Sequence, residues 1–156
     1  MKNRSIIHII DDVSSRRAQL ARLVFAGGHH AEIYAELAEL LAHAPAEGLI
    51  VAYDEPSCGS IPNLIQALAR AGQWLPVIAV SESPATDMVV RAVRAGALDY
   101  ICLPFEFAPL GEAIAQVERV AHEQRAQRTR AAAARQRVAQ LSRRELEGKH
   151  TPKAAA

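Results

Sequence analysis

No apolar run in the 156 residues is long enough to span a bilayer, because the Ile-rich stretch near the start meets aspartate after five positions. The opening Met1-Lys2-Asn3-Arg4-Ser5 is too short for a signal-peptide pattern, so a cytoplasmic protein is expected. Cysteine is scarce. Cys58 and Cys102 have no metal-type spacing and read as reduced thiols; a bridge between them is open in principle but favoured by nothing in the sequence. Lysine is missing from the whole stretch between Lys2 and Lys149. No Gly-rich loop follows the first apolar run, which argues against a dinucleotide fold or a P-loop. A flavin binder would need a hydroxyl-rich phosphate cradle at the same place, and there is none. No Ser/His/Asp or Cys/His set for a nucleophilic enzyme is discernible either.

What is present begins with Ile6, Ile7, His8, Ile9 and Ile10, followed at once by Asp11 and Asp12. Such a run suits a strand buried on both faces. Its adjacent carboxylates would emerge at the carboxyl edge, where open parallel sheets place their sites. Two like charges held together repel, and a hard divalent cation relieves that repulsion. The plainer alternative is that one aspartate caps the helix starting near Ser14.

Strands and helices then alternate. Expected strands are 6–10, 31–34, 49–53, 76–80 and 98–102. Expected helices span 14–26, a short segment at Leu37–Leu41, one around Leu64–Leu68, then 85–95, and a fifth from near Pro109. On the fourth helix, Met88, Val89, Ala92 and Val93 are expected to face inward. Five strand–helix repeats with short connections predict an α/β fold, a doubly wound five-stranded parallel sheet of flavodoxin-like order 2-1-3-4-5. Asp11, Asp12, Asp54 and Ser81 then share one edge. Charge divides along the chain: residues 1–117 hold 8 basic and 13 acidic side chains, residues 118–149 hold 9 basic and 4 acidic. The basic part is expected to be a solvated helix or to meet an anionic partner.

The strings Leu75-Pro76-Val77-Ile78-Ala79-Val80-Ser81 and Arg94-Ala95-Gly96-Ala97-Leu98-Asp99-Tyr100, followed by Pro104-Phe105, carry a specific likeness. Residues 5–121 resemble the receiver domain of two-component response regulators, in the subfamily linked to LuxR-type DNA-binding domains. The resemblance implies that Asp11 and Asp12 form the acidic pair that holds Mg2+, with Asp54 as phosphoacceptor and third ligand. It implies that the Ser81 hydroxyl turns toward a bound phosphoryl group and that Tyr100 is the aromatic switch residue that follows it. A histidine kinase or other signalling protein would be the partner, and the face made by the fourth helix, fifth strand and fifth helix would form a homodimer. The protein would be a signalling switch, not a metabolic enzyme.

Two positions depart from the family's pattern. Its Lys before the Pro that ends strand five is Leu103 here, which cannot hydrogen-bond a phosphoryl oxygen. Alignment by the strand end makes Asp54 the acceptor, whereas alignment on Pro56 puts Ala52 there. These departures open a second reading, a phosphate-independent pseudo-receiver acting as an interaction or constitutive dimerisation module.

The expected domains are a receiver at 1–121, a basic helical linker at 122–140 and a remnant of a LuxR-type helix-turn-helix domain at 141–156. Leu141-Ser142-Arg143-Arg144-Glu145-Leu146-Glu147 resembles the opening of that domain, and the stretch from Gly148 resembles a later piece of it. On this resemblance, DNA readout and transcription control belong to a longer form with the complete output domain. The thin apolar face of the linker argues against a strong coiled coil.

Overall fold

The computed structural model describes residues 4–55, 60–102 and 107–149. In chain order the elements are β1 (Ile6–Ile10), α1 (Ser14–Ala26), β2 (His30–Tyr34), α2 (Leu37–His43), β3 (Leu49–Tyr53), α3 (Ser60–Arg70), β4 (Val77–Ser81), α4 (Thr86–Ala95), β5 (Asp99–Cys102) and α5 (Phe107–Lys149). The strands form one sheet of order β2-β1-β3-β4-β5, parallel at every pairing. This is the expected doubly wound arrangement.

Small shifts in element ends have local causes. β4 begins at Val77 rather than Pro76. Proline has no N–H to give the ladder, and its carbonyl instead accepts the Ile50 N–H at 2.8 Å. Ser81 is the last strand residue, opposite Cys102. α5 begins at Phe107, before Pro109. A proline in the first turn costs no helical hydrogen bond. α5 also runs past Gln140 without a break, so Leu141–Lys149 is helical.

Contacts divide the chain into Met1–Arg119 and Val120–Ala156. In the first unit, the period-two alternation of each strand builds two cores. Ile7, Ile9, Leu49, Val51, Ile78 and Val80 pack with Leu20 and Val24 of α1 and with Leu110, Ile114 and Val117 of α5. Ile10, Ile50, Ala52, Val77 and Ala79 pack on the opposite face with Leu40, Ile61, Leu64, Leu68 and Ala92. Burial of each large side chain contributes about 1.5–3 kcal/mol. The central strands therefore anchor the edge from which the polar residues project. On α4 only part of the expected inward face is buried: Ala92 is fully enclosed, while Val93 is 51% exposed. The second unit's described part is the remainder of α5, whose Val138, Leu141 and Leu146 are exposed. No helix among the described residues is long and apolar enough to cross a membrane.

Gly48, just before β3, has φ +99°, and a Cβ there would collide with the carbonyl oxygen of Ile6 and lie 3.1 Å from Nε2 of His8. His8 is itself buried and bonded through Nε2 to the Glu47 carbonyl oxygen at 3.0 Å. The turn thus closes directly onto β1. Gly28 also has positive φ (+87°) but open space around it. Gly48→Ala is expected to destabilise the fold by about 3 kcal/mol, combining strain with a backbone collision. Gly28→Ala is expected to cost only about 1 kcal/mol, the left-handed penalty alone. Urea unfolding of the two variants measures the difference.

Candidate functional site

Asp11 follows β1 directly and is buried despite its charge. Its compensation is local. Arg16, in the first turn of α1, donates from Nε to Oδ2 at 2.5 Å and from Nη2 to Oδ1 at 2.7 Å. Oδ1 also accepts the Val13 N–H at 2.9 Å, and Arg17 donates to the Asp11 carbonyl oxygen at 2.5 Å. Asp11 therefore holds the strand-to-helix turn together, while Val13, the residue at the α1 N-cap, makes no side-chain cap bond. The Arg16 guanidinium lies over the Tyr53 ring, 3.4 Å from its centroid. Arg16 is pushed further toward its charged form, chiefly by the hydrogen bond to Asp11, with burial opposing. Asp12 behaves differently: its side chain is 72% exposed and lies 3.5 Å from Nη2 of Arg16.

Asp54 follows β3 and is buried. Its N–H bonds to the Val80 carbonyl oxygen at 2.8 Å, extending the ladder by one residue. Ala52, the other acceptor candidate, sits inside the sheet between Ile10 and Ala79. From β5, the Tyr100 hydroxyl donates to Oδ2 of Asp54 at 2.8 Å. Ser81 is buried at the end of β4, the strand between β3 and β5. Burial first, then the bond to Asp54 and its charge, hold the Tyr100 phenol well above its ordinary pKa. Asp54 and Tyr100 thus form a hydroxyl–carboxylate pair across the strand that carries Ser81. Beside the two carboxyl ends opens a cleft of about 270 Å³, bordered by Asp12, Glu36, Leu37, Tyr53 and Leu64.

The expected convergence of Asp11, Asp12 and Asp54 on a metal is not what these side chains do. Among the described residues no three His, Cys, Asp or Glu side chains come together as a metal-holding group. The reason is physical: both Asp11 oxygens face the guanidinium and Asp12 turns to water. As arranged, this donor set does not fit Mg2+. Leu103, Pro56, Cys58, Pro104, Phe105 and the stretch from His150 lie outside the described residues. Cys102 is a free, exposed thiol. Arg16 and Tyr53 were not among the residues expected to matter. An Arg four residues after Asp12, one turn into the next helix, was the available signal.

No family profile matches the chain. Single proteins do. The DNA-binding transcriptional regulator NtrC of Escherichia coli is 31% identical over 131 residues, which are 81% of this chain and 27% of that protein. The response regulator protein TodT of Pseudomonas putida is 28% identical over 144 residues, 90% of this chain and 63% of that protein. The chain thus spans less than two thirds of either relative. Among solved structures, a response regulator receiver protein from Pseudoalteromonas atlantica superposes with a TM-score of 0.65 at 25% identity, covering 74% of this chain and 98% of its own. In sequence the chain is similar to these regulators, and in fold it is similar to that receiver protein.

Two phenols, the buried Tyr34 and the partly buried Tyr100, set an alkaline limit on stability. Tyr34 is pushed from 10.0 up to about 12, mainly by burial and then by its bond to Glu32. Tyr100 is displaced in the same direction. Above pH 10 the unfolded chain releases these protons while the folded chain keeps them. Their contribution is complete below pH 10 and is lost as pH rises through the folded values. Absorbance titration is expected to show two tyrosines ionising late. Asp54→Asn is expected to bring Tyr100 back toward an ordinary phenol and leave Tyr34 in place.

Proposed function

We propose that the chain is a signalling receiver that accepts a phosphoryl group on Asp54 and converts it into a change at the face formed by α4, β5 and α5. The observation that carries this is the buried Asp54 carboxylate, met at 2.8 Å by the Tyr100 hydroxyl, with Ser81 buried at the end of the strand between them. In the transfer, an Asp54 oxygen attacks phosphorus, the bond from phosphorus to the donor histidine of a kinase breaks, and that histidine takes up a proton. The phosphoryl group brings about two negative charges and further acceptor oxygens. The Tyr100 hydroxyl must then exchange its carboxylate partner, and Ser81 gains an acceptor to turn toward. Movement of Tyr100 repacks β5 against α4. The chain acts as a switch rather than on a metabolite, in the cytoplasm. Residues 1–121 make the receiver, 122–140 the basic linker, and the LuxR-like strings from Leu141 mark the approach to an output domain. Transcription control through DNA belongs to a form that carries that domain whole.

A specific contact favours the second reading, a pseudo-receiver that needs no phosphate. Tyr100 already engages Asp54 directly, as an inward switch residue would. Leu103 also removes the lysine that would neutralise a phosphoryl group, and phosphoryl transfer relies on such pre-placed charge. A small phosphodonor is therefore expected to label the protein slowly, with Leu103→Lys raising labelling and Asp54→Ala abolishing it. Labelling that survives Asp54→Ala would remove Asp54 from the acceptor role. No labelling even in Leu103→Lys would favour the phosphate-independent reading.

Dimerisation is proposed through the same face. α4 exposes Val90 at 41% and Val93 at 51%. Arg91 is bound within the helix to Asp87 at 2.5 Å, which leaves Arg94 as the better cross-dimer cation for Asp99 or Glu112. Exposed pairs contribute only ~0–1 kcal/mol and set register more than affinity. Sedimentation is expected to show a weak dimer that Arg94→Glu dissociates. A strictly monomeric wild type at high micromolar concentration, or a dimer indifferent to Arg94→Glu, would move the interface elsewhere.

A further inference from the structure

We propose that Arg16 is a resident counter-cation, its guanidinium filling beside Asp11 the place of a divalent cation, so that this edge keeps its buried carboxylate compensated without metal. The inference rests on reading the edge as a phosphoacceptor edge and deepens that reading.

The geometry is specific. Both Asp11 oxygens are engaged by one guanidinium, at 2.5 and 2.7 Å, and Oδ1 takes the Val13 N–H as well. The same cation reaches the second aspartate, Asp12, at 3.5 Å. It is held from above by the Tyr53 ring at 3.4 Å. Its side chain is 15% exposed and that of Asp11 is fully enclosed. A planar fork matched to a carboxylate and stacked on an aromatic ring is an arrangement lysine or water could not reproduce. Mg2+ demands oxygen ligands in near-octahedral order and gives up its water reluctantly. To bind here it would have to open the fork, unstack the guanidinium and draw Asp12 inward from solvent. Arg16 and the metal therefore compete for one carboxylate.

The test is metal binding to the full chain, with Mg2+ and paramagnetic Mn2+ as probes. Wild-type protein is expected to show no Mg2+-dependent rise in Tm at millimolar metal and no selective Mn2+ broadening of amides near Asp11 and Asp54. Arg16→Gln keeps a donor for Asp11 but no charge, and Arg16→Ala removes both. Both variants are expected to gain a Tm that climbs with Mg2+ and broadening confined to that edge, as a ligand bound by the native state alone requires. If Arg16→Ala does not fold, Arg16→Gln carries the comparison. A wild type that responds to Mg2+ as strongly as Arg16→Gln would overturn the proposal. So would variants that respond no more than wild type, since the freed carboxylates would then offer no cation place for Arg16 to fill. Labelling of Asp54 by a phosphodonor reports on the acceptor reading separately. Loss of labelling with an intact metal contrast would sink that reading and spare the occupancy of the site by Arg16.

Discussion

A buried carboxylate at the end of a hydrophobic strand has to be compensated, and at Asp11 the compensation decides how the chain leaves the sheet. Charge taken out of water costs several kcal/mol unless it is paired and hydrogen-bonded. Arg16 supplies both, from the first turn of α1, while the Val13 N–H and Arg17 fix the backbone between them. The pair thus sets where α1 starts and how it lies on β1. Removal of either partner would strand a buried charge, at a cost of roughly 3–5 kcal/mol. From the helix that this turn begins, Leu20 and Val24 pack against Ile7 and Ile9. Site chemistry and core packing are therefore coupled through one ion pair.

The parallel sheet supplies the second constraint. Each strand runs in the same direction, so every strand that ends in a polar residue presents it at one edge. Asp11 and Asp54 come from neighbouring strands, β1 and β3, and Ser81 from β4 beside them. Tyr100 joins from mid-strand because its length carries the hydroxyl across β4 to Asp54. Position in the sheet brings the groups near. Rotamers and local charge then decide which of them touch.

That division explains what was legible in the residues alone. The strand-and-helix alternation, the sheet order and the bounds of β1, α1 and β3 follow from apolar periodicity and stop signals, which report burial directly. Asp54 and Ser81 were legible as first polar residues after buried runs. The partners were not. Nothing in the spacing of Asp11, Asp12 and Asp54 reveals that Asp12 turns outward while Arg16 folds back, because both outcomes satisfy the same pattern. Val93 has the helical spacing of an inward residue yet is half exposed, since β5 contributes only four residues for α4 to cover. Arg91 stands exposed on α4, but Asp87 lies one turn back on the same helix and captures it.

The two buried aspartates are compensated by different kinds of group, and the difference bears on switching. Asp11 is held by a cation in a bidentate pair whose loss leaves an uncompensated charge. Asp54 accepts from the Tyr100 phenol, a neutral donor, whose bond to a charged acceptor is worth about 1.5–3 kcal/mol. On the proposed reading, an incoming phosphoryl group would offer Tyr100 and Ser81 new acceptor oxygens, so that exchange could come close to balance. No comparable exchange exists for Arg16, whose partner remains a carboxylate throughout. On the proposed reading, one half of the edge stays and the other moves. A receiver arranged this way would transmit through β5 and α4, with β1 and α1 as the fixed frame against which they shift.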